Sequence, residues 1–105
     1  MLVRDILRVK GTALFTVGPE TLLSECVTVM ADLDIGSLVV LDAQRMVGML
    51  TFREVLQGLN AQGGNLADLR VSSLMVADPV CGSPDDSIDH LREVMTQNHV
   101  RYLPV

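Results

Sequence analysis

The sequence predicts an α+β protein built from two β-α-β-β-α repeats, of which the second is incomplete. Amphipathic helix patterns alternate with short apolar strand patterns, and one segment of the chain repeats. Residues 19–40 align with residues 84–105 after a shift of 65 positions, with five identities in 22 positions. Both segments have the same order: a turn with proline and acids, an amphipathic helix, a polar break and an apolar strand.

Composition limits the classes of function. The chain has 105 residues, of which 49% are hydrophobic and 20% charged, and this is typical of a globular domain with one core, which two small units can share. A net charge of -5 disfavours duplex nucleic acid or an anionic membrane as the main partner. No signal peptide and no apolar stretch long enough to span a membrane is recognisable, so the cytoplasm is the default compartment.

The first repeat contains a helix, a hairpin and a second helix. The first helix has Thr21 as its predicted N-cap and a set of apolar residues at helical spacing, which is predicted to be its core face. These apolar residues are Leu22, Leu23, Cys26, Val27, Met30 and Leu33. Residues 37–42 and 46–50 predict an antiparallel hairpin with a turn at 43–45. A helix from about Phe52 to Leu59 then follows, with Val55, Leu56 and Leu59 directed inward.

The second repeat begins after a flexible joint at Gly63-Gly64. The sequence "VSSLM" (71–75) resembles "VRDIL" (3–7), so a short helical lead-in is expected before each repeat. The next helix carries four apolar residues at helical spacing and a serine cap; these are Ile88, Leu91, Val94 and Met95, with Ser83 or Ser87 as the cap. We therefore divide the chain into a first repeat with its lead-in helix, 1–62, and a linker with part of the second repeat, 63–105.

The final segment, Tyr102 to Val105, has the apolar character of a buried strand. In the alignment of the two repeats, this segment corresponds to the first strand of the hairpin predicted at residues 37–50. Counterparts of residues 41–59 are therefore expected beyond Val105, and without them the second unit has an unpaired edge.

Catalytic or metal-binding motifs are not recognisable. Cys26 and Cys81 lie far apart without a C-x-x-C pair, and Cys26 fits a small buried hydrophobe. His90 and His99 have no second ligand at metal spacing, so both are predicted to be surface residues. Since no nucleophile-base pair or glycine-rich phosphate loop is present either, we expect a protein that is not an enzyme.

The most informative stretch is "GMLTFREVL" (48–56), in which a strand ends at Thr51 and a helix opens directly. Free backbone N–H groups of the first helical turn, with the Thr51 hydroxyl, would offer donors to a phosphate, and Glu54 would accept hydrogen bonds from a sugar diol. A plain capping box between Thr51 and Glu54 explains the same residues. Arg53 and Arg101 each have two interpretations as well: part of an anion site, or a solvated surface residue.

The repeat unit and the segments "DIGSLVVLD", "RMVGMLTFREVL", "DPVCGSPDDSIDHLREVM" and "NHVRYLPV" together resemble the CBS domain family, named for cystathionine beta-synthase. The resemblance covers nearly the whole chain. It implies a pseudo-twofold pair of repeats, often called a Bateman module, that binds AMP, ADP, ATP or S-adenosylmethionine and regulates an attached or associated protein.

The resemblance also implies which residues contact the ligand. The family's ribose-phosphate motif falls on Gly48 through Glu54, with Thr51 toward phosphate and Glu54, where the family usually has Asp, toward ribose. Adenine would be contacted by the other repeat, through Pro79, Val80, Val100, Arg101 and Tyr102. A second cleft would use Phe15, Ile35, Gly36 and Ser37, but its phosphate motif is not in this sequence, so this cleft is incomplete.

The expected function is therefore ligand sensing between the repeats, with the adenosyl ligand acting as a regulator and no resident cofactor or metal. Expected partners are this small molecule, a second copy of the chain in a homodimer and a regulated protein; neither nucleic acid nor membrane insertion is expected. Two alternatives stay open: a ligand-free dimerisation or interaction module, and a regulatory fragment of a larger enzyme or transporter.

Overall fold

The computed structural model describes residues 1–10 and 14–105. It confirms the predicted α+β class, because helices alternate along the chain with the strands of one four-stranded sheet. The elements are α1 (Val3–Lys10), β1 (Thr16–Val17), α2 (Leu23–Leu33), β2 (Ser37–Asp42), β3 (Arg45–Thr51), α3 (Phe52–Ala61), α4 (Val71–Leu74), β4 (Val76–Ala77) and α5 (Ile88–Asn98).

The chain forms two compact units whose limits differ from those of the sequence repeats. The central unit is Leu14–Asp78, and the terminal unit combines Met1–Ala13 with Pro79–Val105. The predicted division at residue 62 follows the repeat in the sequence. The limits of the compact units instead depend on which residues the two lead-in helices pack against. The repeat pattern of the sequence carries no information about this packing.

The central unit contains the whole sheet, in the order β1-β2-β3-β4. Strand β1 runs parallel to β2, and the other two pairings are antiparallel. Asp42 pairs with Arg45, so the predicted hairpin turn has two central residues, Ala43 and Gln44, and both have positive φ. This is the backbone that two-residue hairpin turns favour, because its twist matches that of the strands.

The core of the central unit lies between the sheet and its helices. It is formed by Leu23, Cys26, Met30, Leu38, Val40, Leu50, Val55 and Val71. Burial, with a smaller effect from the negative charge of Glu25, raises the pKa of the Cys26 thiol, so this group stays neutral in the core. The prediction that Cys26 is a buried hydrophobe is therefore confirmed.

Two predictions about α2 are wrong. The N-cap is Leu22, which makes no side-chain cap bond, and the Thr21 hydroxyl instead accepts from the Gly18 N–H at 3.2 Å. Thr21 is therefore used in the preceding turn. Leu33 was assigned to the core face, but it lies in the last turn of the helix with 47% of its surface exposed, since the chain turns away at Asp34.

The lead-in helix α4 is part of the central unit, where it packs on the first repeat. The Val71 N–H donates to the Thr21 carbonyl and the Ser72 N–H to the Pro19 carbonyl, both at 2.9 Å. A Cβ at Gly58 would lie 2.3 Å from Leu74 Cδ1, so the absence of a side chain there lets α3 and α4 approach closely. The second repeat's lead-in thus packs on the first repeat.

The lead-in helix α1 makes the corresponding contacts in the terminal unit. The Val3 N–H donates to the Asp86 carbonyl at 2.9 Å, the Arg4 N–H donates to the Pro84 carbonyl at 3.0 Å, and the Arg4 guanidinium pairs with Asp85. Pro84 and Asp86 stand 65 positions after Pro19 and Thr21. Each lead-in therefore packs on the repeat that it does not directly precede.

The ends of α2 and α5 confirm that the two segments are structural repeats. Asp34 and His99, 65 positions apart, both end a helix in the left-handed conformation, with φ of 53° and 54°. Ile35 and Val100 then donate to the carbonyls of Met30 and Met95, both at 3.0 Å. The same backbone turn leads out of each helix.

The strand predicted at the end of the chain is not formed. Residues 100–105 carry no strand, and one backbone bond links this segment to the preceding loop: the Gly82 N–H donates to the Pro104 carbonyl at 2.8 Å. Gly82 and Pro104 correspond, by the 65-residue shift, to positions on β1 and β2 of the central unit, where β2 is also paired with β3. In the terminal unit a single backbone hydrogen bond takes the place of these pairings, and one bond does not define a β-ladder.

Candidate functional site

The candidate site lies at the junction of β3 and α3 in the central unit. Thr51 is the last residue of β3, where it pairs with Ser37, and it is also the N-cap of α3. Its backbone is extended, with φ of -121° and ψ of 171°, as is usual for a residue that leaves a strand and opens a helix. The strand and the helix together fix the position of the Thr51 side chain.

Thr51 and Glu54 form the capping box that the sequence offered as one interpretation. Glu54 Oε1 accepts two hydrogen bonds from Thr51, from the backbone N–H at 2.8 Å and from the hydroxyl at 2.9 Å. The Glu54 side chain is only 7% exposed, and it is the one buried charged residue in the described part of the chain. Its two bonds are charge-assisted, so they offset part of the cost of burying it.

The N–H groups that the sequence predicted to be free at this turn have protein acceptors. The Phe52 N–H donates to the Gly36 carbonyl at 3.2 Å, and the Arg53 N–H donates to Thr51 Oγ1 at 3.3 Å. The structure therefore contains the capping box that was one of the two interpretations of this helix start. The ligand-binding roles of Thr51, Arg53 and Glu54 stay predictions.

Two of the four residues predicted for the second cleft lie beside the same junction. Gly36 and Ser37 adjoin it directly, through the Phe52 N–H bond and the pairing of Ser37 with Thr51. Ile35 packs against the core, while the Phe15 carbonyl accepts from Val39 at 3.3 Å. The backbones of Gly36 and Ser37 thus support α3, a role that their sequence pattern did not reveal.

The residues predicted to contact adenine belong to the terminal unit. Pro79 and Val80 lie in the segment before Gly82, and Val100, Arg101 and Tyr102 lie in the segment that the Gly82 bond joins to it. Pro79 and Val100 are half-buried, whereas Val80, Arg101 and Tyr102 are exposed. The contact of these five residues with adenine stays a prediction.

An exposed apolar stripe runs along α3. Phe52, Leu56 and Leu59 are spaced by four and three residues, so they share one face of the helix, and they are 48%, 66% and 38% exposed. The sequence prediction directed Leu56 and Leu59 inward. It was wrong because Val55 and Gly58 provide the buried face of α3, against the core and α4.

Across residues 1–10 and 14–105, no group of three or more His, Cys, Asp or Glu side chains is placed to hold a metal ion. None of the helices described in these ranges has the length and apolar character that crossing a membrane requires.

Tandem repeats with one four-stranded sheet and a capped β3-α3 junction define a small α+β module. The sequence model of the CBS domain matches residues 3–61 and 71–105, and the second match is the shorter. The chain therefore belongs to the CBS domain family. CBS domain-containing protein YhcV of Bacillus subtilis is 30% identical over 94 residues, which cover 90% of this chain and 66% of that protein.

Solved structures show the same fold. The CBS-domain containing protein ATU1752 of Agrobacterium tumefaciens is 31% identical, with a TM-score of 0.95 over 100% of this chain and 84% of that one. The CBS domain pair of MJ0100, solved in complex with 5'-methylthioadenosine and S-adenosyl-L-methionine, is 21% identical, with a TM-score of 0.85 over 100% of this chain and 82% of that one. The chain spans somewhat less than two thirds of the curated relatives that it matches, 66% of YhcV and 58% of a 17.7 kDa protein of Acidianus ambivalens.

Proposed function

We propose that this protein is a regulatory module that binds an adenosine-containing ligand at the junction of β3 and α3. It performs no catalysis on the ligand; occupancy shifts the equilibrium of an attached or associated protein by about 1 to 3 kcal/mol, the usual range of an allosteric coupling. AMP, ADP, ATP and S-adenosylmethionine are the candidate ligands, and the cytoplasm is the expected compartment.

The observation that carries this proposal is the placement of Glu54. A carboxylate is rarely buried, and Glu54 is held within one helical turn of the strand end by both Thr51 donors. A carboxylate accepts hydrogen bonds from hydroxyl groups, and a ribose offers two of them. Membership of the CBS family and the adenosyl ligands in MJ0100 support the same chemistry.

The other ligand contacts are proposed on the family resemblance. Arg53 is an exposed residue of the first turn of α3, and we assign it to the outer part of the ligand. The adenine-contacting role of Pro79, Val80, Val100, Arg101 and Tyr102 is kept as part of the proposal.

Thr51→Ala is expected to weaken adenosyl-ligand binding by about 1 to 3 kcal/mol, because it removes a hydrogen-bonding group and the partner that orients Glu54. Isothermal titration calorimetry with S-adenosylmethionine, adenosine, AMP and ATP measures this change. Thr51→Ser keeps the hydroxyl and should retain binding, and Thr28→Ala, which removes an exposed hydroxyl bonded to Ser24 on α2, should have no effect. If the wild-type chain binds none of the four ligands, the proposal is wrong.

A second candidate function is a ligand-free interaction module, and the exposed stripe of Phe52, Leu56 and Leu59 favours it. In this alternative the stripe packs against a second copy of the chain. The curated relatives are longer than this chain. A third proposal is therefore that the chain is a regulatory fragment of a larger enzyme or transporter.

We expect the wild-type chain to sediment as a dimer and Leu56→Glu to sediment as a monomer, because a dimer through this stripe would bury the introduced charge without a partner. Analytical ultracentrifugation over a range of concentrations gives the result. A wild-type chain that stays monomeric at high micromolar concentration contradicts the interaction-module function, whereas dimerisation without ligand binding supports it over ligand sensing.

A further inference from the structure

The lead-in helices α1 and α4 match residue by residue, because both make the same backbone bonds to the repeat that each packs on. In this match Val3 corresponds to Val71, and Ile6 corresponds to Leu74. The two helices differ in what covers them. Leu74 is half-buried against α3, where Gly58 leaves room for it, whereas Ile6 is 38% exposed. Among the described residues, no helix gives α1 the cover that α3 gives to α4.

The uncovered face of α1 is apolar. Ile6 and Val9 are three residues apart, so they share one face of the helix, and Leu2 directly before the helix adds a third exposed apolar side chain. Leu2 is 38% exposed and Val9 is 91% exposed, whereas Val3, which α1 buries in the terminal unit, is 4% exposed. Adjacent exposed apolar side chains of this kind are typical of a surface that a partner covers.

Residues 100–105, in the same unit, have a backbone edge without a partner. Leu103 corresponds to Leu38 by the 65-residue shift, and Leu38 pairs with β3 in the central unit. Within the described residues, the backbone N–H and carbonyl of Leu103 have no hydrogen-bond partner. The bond from Gly82 uses the carbonyl of the next residue, Pro104, and corresponds to the β1 side of the strand. The side that corresponds to β3 is therefore open to another strand.

The central unit shows what kind of segment fits these two surfaces. There β3 pairs with β2, and α3, which follows β3 directly, packs on α4. A Cβ at Gly48 of β3 would lie 2.7 Å from Met75 Sδ, so β3 approaches the lead-in as closely as α3 does at Gly58. Met75 corresponds to Leu7 of α1, which is half-buried. A strand followed at once by a helix, with a glycine in each, therefore matches both the free edge and the apolar face.

We propose that the terminal unit is a docking surface for a strand-helix segment of a partner protein. The strand of this segment pairs antiparallel with residues 100–105, and its helix packs on Ile6 and the neighbouring apolar side chains of α1. The segment has the chemistry of β3 and α3: an apolar strand with one glycine, then a helix whose second turn carries another glycine on the packed face. This inference does not depend on ligand binding at the junction of β3 and α3.

The test is titration of the full chain with a peptide that has the sequence of residues 44–62. Calorimetry should show saturable binding of one peptide per chain, and amide hydrogen exchange at Leu103 should become slower, because its N–H gains an acceptor. Ile6→Glu should weaken binding at least roughly tenfold, since the docked helix would bury a charge without a partner. Leu56→Glu, which places the same charge on the exposed stripe of α3, should leave peptide binding unchanged. A peptide with Gly58→Leu should bind at least about tenfold more weakly, because the close approach is lost.

Failure of the unmodified peptide to bind overturns the inference. Equal binding of the Gly58→Leu peptide also overturns it, and this comparison decides the matter even if Ile6→Glu does not fold. If circular dichroism shows that Ile6→Glu folds and its affinity is unchanged, the segment binds elsewhere and the inference is wrong. Slow exchange at Leu103 without peptide, together with a dimer in sedimentation, would show that a second copy of the chain covers the surface, which overturns the proposed partner.

Discussion

Leu50→Ala should lower the free energy of unfolding by about 2 to 5 kcal/mol, the range measured for large-to-small changes in well-packed cores. Leu50 is 0% exposed, lies on β3 and belongs to the core cluster between the sheet and the helices. Its removal leaves a cavity directly before the Thr51 junction. Urea denaturation followed by circular dichroism gives the difference in stability.

Leu56→Ala is the matched control, because it removes the same atoms from a residue that is 66% exposed on α3. At protein concentrations low enough for the chain to be monomeric, its effect should stay within about 0.5 kcal/mol of zero, as for surface changes in general. Equal losses for the two variants would contradict the assignment of Leu50 to the core and of Leu56 to the exposed stripe. A large loss for Leu56→Ala that depends on protein concentration would instead indicate that the stripe is buried in a dimer.

Glu54→Ala should lower the free energy of unfolding by about 2 to 3 kcal/mol, because one carboxylate accepts from two donors of Thr51 and its loss leaves both without that acceptor. The capping box is lost at the same time, so the first turn of α3 is weakened. Chemical denaturation again measures the change, and amide hydrogen exchange at the start of α3 should become faster.

Glu54→Gln separates the hydrogen bonds from the charge. Its side-chain oxygen accepts from the same donors, so we expect a smaller loss than for Glu54→Ala, about 1 kcal/mol. Glu25→Ala, at an exposed position in the first turn of α2, is the control for removing a carboxylate from a helix start. If Glu54→Ala is no more harmful than Glu25→Ala, the buried capping box does not contribute to stability as the structure indicates.

Local signals in the sequence were sufficient to predict the hairpin and the start of α3. Apolar runs flank residues 43–45, and the turn forms at Ala43 and Gln44 within this stretch. Thr51 and Glu54 have the spacing of a capping box, and the structure contains one. These features depend on residues close in the chain, so their hydrogen bonds follow from the sequence pattern.

Features that depend on distant parts of the chain were not predictable in the same way. The docking of α1 beside Pro84 and Asp86 depends on contacts across most of the sequence, and helical periodicity describes only one helix at a time. The same limit explains Leu56, since several faces of α3 carry apolar residues and only the neighbours of the helix decide which face is buried. Thr21 was an acceptable cap by residue type, but the turn at Gly18 uses its hydroxyl.

The most direct test of the proposed site is amide chemical-shift mapping of the ¹⁵N-labelled chain during titration with S-adenosylmethionine or adenosine. We predict saturable shifts that are largest at the amides of Thr51, Phe52, Arg53 and Glu54, since a ligand at the proposed site would contact the Thr51 and Glu54 side chains whose bonds hold this turn. Thr51→Ala should reduce these shifts at equal ligand concentration. The absence of saturable shifts, or largest shifts at residues away from the start of α3, would contradict a ligand site at this junction.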